Sequence, residues 1–104
     1  MRNMGKSILI ISALALSGSD CFAADVSRGA DFARRWCSGC HLVAPDQPSI
    51  ITFAPPFASI AQRPNLDARE LANSLLAPHP QMPDRALSRD EAADIAAYIK
   101  SLHN

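Results

Sequence analysis

Cys37-Ser38-Gly39-Cys40-His41 constrains this chain more than any other stretch. On a helix, positions 37, 40 and 41 stand at i, i+3 and i+4, so two thiols and an imidazole project from one face. In the form C-x-x-C-H this is the attachment signal for a c-type haem. The thiols can reach the two vinyl groups of a porphyrin and form thioethers, while His41 points at the iron as its proximal ligand. Ser38 and Gly39 are small and let the backbone pass close to the porphyrin edge. Two other chemistries use paired cysteines. A redox dithiol normally follows a strand in a βαβ unit, and no strand pattern precedes Cys37. A zinc site needs further ligands at set spacing, and His41, His79 and His103 make no H-x(3–5)-H pair. The histidine directly after the second cysteine favours haem over both.

The front of the chain reads as an export signal. Arg2 and Lys6 form a positive start, and Ile8 to Leu16 is an apolar run too short to span a bilayer comfortably. Cys21-Phe22-Ala23 puts small residues at the −3 and −1 positions of a cut between Ala23 and Ala24. Residues 1–23 are therefore expected to be a secretory signal peptide, and 24–104 one domain. The short apolar run disfavours an uncleaved anchor, and Asp20 disfavours lipidation at Cys21. With the leader removed, Cys37 and Cys40 are the only thiols and Met82 is the only methionine. About 80 residues then remain, a size at which an apolar core alone is often marginal. A large apolar cofactor would complete such a core.

The mature chain reads as helices joined by proline-rich loops. Asp25 to Trp36 is the first helix, with Asp25 as N-cap and Val26, Gly29, Phe32 and Trp36 on one side. Gly29 inside a helix costs about 1 kcal/mol relative to alanine and often marks close approach by another helix. Leu42 to Ala61 is loop, punctuated by Pro45, Pro48, Pro55 and Pro56, with Ile50–Phe53 packed and a short helical turn around Phe57, Ile60 and Ala61. Leu66 to Ala77 is a helix capped by Asn65, with Leu71, Leu75 and Leu76 as its apolar stripe. Met82 stands in a loop stiffened by Pro80 and Pro83, which suits a side chain held toward a metal better than core filling. Ser88-Arg89-Asp90-Glu91 is a capping box that opens the last helix, whose apolar side is Ala92, Ile95, Ala96, Ile99 and Leu102. No internal repeat, low-complexity tract or basic nucleic-acid patch is present.

These parts, in this order, resemble class I c-type cytochromes, the small monohaem electron carriers of the bacterial periplasm. The likeness covers nearly all of residues 25–103. Ala54-Pro55-Pro56-Phe57 with Ile60 and Arg63 looks like the segment that follows the haem motif in that family. Met82-Pro83 looks like its distal methionine loop, and Asp94–Ile99 like the terminal helix that crosses the first at a glycine. The chain departs from the pattern at Ala54, Ser59 and Gln62, where the family often has glycine. It also has Ala33 where an aromatic usually packs.

The resemblance implies an all-α fold, three main helices and loops wrapped around one haem bound through Cys37 and Cys40. It implies that the Pro55 carbonyl accepts from the free ring nitrogen of His41 and that Arg63 contacts a haem propionate. Met82 would give the distal sulfur, and Gly29 and Tyr98 would meet at the helix crossing. His79 competes with Met82 as distal ligand. The expected function is periplasmic one-electron transfer without catalysis, since covalent haem attachment of this type takes place outside the cytoplasm. The alternatives are a haem-bearing subunit of a larger dehydrogenase or oxidase complex, and a five-coordinate haem protein that binds small ligands. With basic and acidic residues nearly balanced after cleavage and no lysine-rich ring, the expected partners are redox proteins met through an apolar patch. Nucleic acid and a stable membrane span are not expected.

Overall fold

The structure is a computed structural model that describes residues 23–48, 54–77, 82 and 86–103, with isolated positions 5, 10, 12 and 13. The described residues are helical, and no strand runs through them. Helix α1 spans Val26–Phe32 and passes directly into a π-helical segment, Ala33–Cys37. Three more helices follow: α2 at Phe57–Ala61, α3 at Ala68–Leu76 and α4 at Arg89–Ser101. Residues 50–53, His79, Pro80 and Pro83 lie outside the described set, and so does the packed-loop reading of Ile50–Phe53.

Side-chain caps set where the helices begin. The Asp25 carboxylate accepts from the Arg28 N–H, as its position ahead of Val26 requires. Ser88 and Glu91 form the reciprocal capping box, each side chain accepting from the other's backbone N–H. The cap of α3 differs from the sequence reading. Asp67, not Asn65, accepts from the N–H groups of Arg69 and Glu70. The Glu70 and Arg69 N–H groups hold the Asp67 carboxyl below its ordinary range. Asn65 instead takes a left-handed conformation, φ 58°, one turn ahead of the helix.

Helix α4 is the hub, packed against α1, α2 and α3. Its Ile95, Tyr98 and Ile99 join Ala33, Val43, Phe57, Ile60 and Ala61 in the main core. Its Ala92 and Ala96, one turn apart, meet Ala72 of α3 in a second cluster. Leu71 and Leu75 pack against both clusters, so α3 closes one side of the molecule. Fully burying side chains such as Ile95 and Ile99 contributes about 1.5–3 kcal/mol each. Two expected stripe residues are outside this core: Val26 and Leu76 are among the exposed large hydrophobics.

The α1–α4 contact has a polar anchor. Asp94 is buried within α4, yet both its oxygens are satisfied. The Asp25 N–H donates to Oδ1 at 2.7 Å, and Arg28 Nε donates to Oδ2 at 2.7 Å. That bond, with the attraction of the same carboxylate, raises the Arg28 guanidinium above its already high ordinary value. Gly29 sits against the main chain of Asp94 and Ile95. Tyr98, the expected partner of Gly29, has its hydroxyl elsewhere: it donates to the Val43 carbonyl at 2.6 Å. Burial pushes the Tyr98 phenol above its ordinary range.

Candidate haem site

The C-x-x-C-H motif lies where the π-helical segment ends. The Ser38 N–H reaches back five residues to the Ala33 carbonyl at 3.1 Å, the hydrogen bond that defines the wider turn. The chain then tightens, and the N–H groups of Cys40 and His41 both donate to the Cys37 carbonyl, at 3.2 and 2.9 Å. His41 and Cys37 are thus stacked one turn apart, as the i, i+4 spacing required.

Cys37, Cys40, His41 and Met82 line one cleft. Its remaining walls are mainly apolar, formed by Trp36, Gly39, Ala54, Leu75, Leu87 and Ile95. No described atom lies within 4 Å of a Cβ built on Gly39, so the cleft is bare backbone at that point. Cys37 is half-buried and Cys40 is exposed. Behind the motif, the rings of Phe32 and Trp36 stack nearly parallel at 4.8 Å. Trp36 carries this stack to the cleft wall.

His41 is oriented from two sides. Its Nδ1 is 2.6 Å from the Pro55 carbonyl oxygen. A proline carbonyl can only accept, so Nδ1 carries a proton, and in the neutral tautomer that makes this bond the lone pair stands on Nε2. Its ring also packs against Phe57, centroids 5.1 Å apart. Phe57 is itself fixed, because its N–H donates to the Leu42 carbonyl at 2.9 Å.

The site residues expected from the sequence are distributed unequally. Cys37, Cys40, His41 and Met82 converge on the cleft, and Pro55 lies on the far side of the imidazole. Arg63 is exposed on the turn after α2 and lies outside the cleft lining. Leu75 and Ile95 were legible as apolar stripe positions, but periodicity does not say which stripe residue faces a cofactor. Leu87 carried no signal, and Ala54 stood out only as a member of the segment that follows the haem motif. Asp94 did carry one: it is an acidic residue beside Ile95 in an otherwise apolar run, one turn before Tyr98.

A cleft with apolar walls that brings together two cysteines, an imidazole and a thioether has the donor set of a c-type haem. Such a fold and site define a small monohaem c-type cytochrome, whose chemistry is haem-based electron transfer. Comparison with known proteins agrees. The sequence model of the family described as cytochrome c oxidase, cbb3-type, subunit III matches residues 24–99, and the chain belongs to that family. Cytochrome c-552 of Bradyrhizobium diazoefficiens is 50% identical over 97 residues, covering 93% of this chain and 93% of that protein. No solved structure matches. Among the described residues, no helix is long and apolar enough to cross a membrane.

Proposed function

We propose that the protein is a periplasmic one-electron carrier, not an enzyme, with one haem bound covalently through Cys37 and Cys40 and ligated by His41 and Met82. The observation that carries this reading is the convergence of those four side chains on one apolar cleft. A haem held there would supply reversible one-electron chemistry at iron. The rest falls to the chain's own groups. Pro55 holds the His41 proton at Nδ1, which keeps Nε2 available and makes the imidazole a stronger donor. Met82 offers a soft sulfur that favours the ferrous state and raises the potential. Leu75, Leu87 and Ile95 exclude water, which acts in the same direction. Arg63 would serve a propionate, on the strength of the family resemblance alone. Export would follow from cleavage after Ala23.

The ligand assignment is tested by Met82→Ala. The oxidised native protein should show the weak long-wavelength sulfur-to-iron absorption band. The variant should lose that band, have a lower potential and bind added ligands at the iron. An intact low-spin spectrum with an unchanged potential would move the distal ligand to His79.

Docking is the second expectation. After cleavage at Ala23 eight basic and nine acidic residues nearly balance, and Arg28 and Arg34 are paired with Asp94 and Asp46. Long-range steering needs a net field, which is weak here. The rate of electron exchange with the natural redox partner should change little between low and moderate salt. A steep fall with ionic strength would reveal a local charge cluster at the docking face.

A further inference from the structure

We propose that Gln47 is a positioning residue for His41, an inference that rests on the reading of His41 as the iron ligand. The Gln47 amide is committed to the main chain of the haem-binding turn. Its Nε2 donates to the carbonyls of Ser38 and His41, each at 3.0 Å. Its Oε1 accepts from the Val43 N–H at 2.8 Å. The helix ends at Cys37, so continued helix cannot satisfy these groups. Val43 is buried, and its N–H would be an orphan donor without the amide.

The neighbouring carbonyls are fastened from other directions. The Leu42 carbonyl accepts from the Phe57 N–H, and the Val43 carbonyl from the Tyr98 hydroxyl. Residues 41, 42 and 43 are therefore held in succession by Gln47, α2 and α4. With its backbone fixed by Gln47 and its Nδ1 fixed by Pro55, the His41 ring has both ends set. Its Nε2 lone pair then has one direction. Few side chains can replace this amide. An ionised glutamate has no donor, lysine and arginine have no acceptor, and asparagine is a methylene shorter.

The test uses the full haem-loaded protein carrying Gln47→Met, which keeps length and volume without the hydrogen bonds. Two readouts report on His41 itself: the reduction potential, and solvent exchange of the Nδ1 proton followed by NMR in the ferrous protein. A loosened imidazole holds the Pro55 carbonyl less well and becomes a poorer donor to ferric iron. The potential should therefore rise, and Nδ1 exchange should quicken at least tenfold. Ala72→Gly, a destabilising change in α3 without these contacts, should leave both at the native value. If Gln47→Met fails to hold a folded haem site, Gln47→Glu keeps a partner for Val43. It is judged on exchange alone, where the same tenfold gain is expected, because its charge shifts the potential directly. Unmoved exchange and potential in Gln47→Met would overturn the proposal, as would an equal change in Ala72→Gly. A His41→Ala protein with an unaltered ferric spectrum would remove the ligand reading and this inference together. A spectrum lost in His41→Ala alongside an unmoved Gln47→Met would overturn this inference alone.

Discussion

A chain with both Cys37 and Cys40 replaced by alanine will carry no haem through a denaturing gel, whereas the native chain will retain it there and through acid–organic extraction. The expectation follows from the geometry of the motif. Cys37 closes the π-helical segment, Cys40 follows a tight turn, and both open onto the cleft that His41 and Met82 also line. Axial ligands alone hold a haem reversibly, and denaturant or acid releases them. Thioethers survive both. The loss should extend to folding. The main core is small, and Leu75 and Leu87 are only half-buried where they border the cleft. Without a ring against them, those side chains lose burial worth about 25 cal/mol per Å². The doubly substituted protein should therefore melt at a lower temperature and over a broader range than the native holoprotein. Haem that extracts freely from the native protein would refute covalent attachment.

The residues that meet at the candidate cleft were legible in the sequence where they depend on local spacing. Residues 37, 40 and 41 lie within one turn of chain, and the N–H groups of Cys40 and His41 meet the Cys37 carbonyl although the helix has ended at Cys37. The capping box at Ser88 and Glu91 is equally local. What was not legible depended on tertiary contact. Asn65 and Asp67 are both good caps on paper. The backbone settles the choice by turning left-handed at Asn65, so that Asp67 meets the first free N–H groups. Leu76 fits the helical stripe as well as Leu75 does, yet α4 covers Leu71 and Leu75 and leaves Leu76 exposed. Gln47 gave no sign of its role, because an amide between prolines in a polar loop looks like a solvated residue. Its three main-chain partners become neighbours only when the loop folds back on the haem-binding turn.

Gly29→Val should destabilise the holoprotein by about 3 kcal/mol or more, at or beyond the upper end of the usual overpacking range. Gly29 is buried in α1 where α4 passes closest. A Cβ at this position would overlap the Asp94 carbonyl oxygen. It would also stand 2.5 Å from the Asp94 carbonyl carbon and 3.0 Å from the Ile95 nitrogen. These neighbours are main chain of a helix, and no rotamer change can move them aside. The two helices must separate, and the anchors beside the contact resist this. The Asp25 N–H and Arg28 Nε bonds to Asp94 would lengthen, leaving a buried carboxylate short of partners. Leaving the buried Asp94 carboxylate short of donors is costly in its own right, although Arg28 itself is half exposed. The loss is large against a typical domain stability of about 5–15 kcal/mol. Ala68→Val is the comparison, since Ala68 opens α3 and a β-branched residue there costs only a few tenths of a kcal/mol in helix propensity. Denaturant midpoints of the two holoproteins, followed by haem absorbance, measure the difference directly. Haem should still be attached in Gly29→Val, because the thiols are untouched. Equal midpoints for the two variants would mean that α1 and α4 do not cross at Gly29.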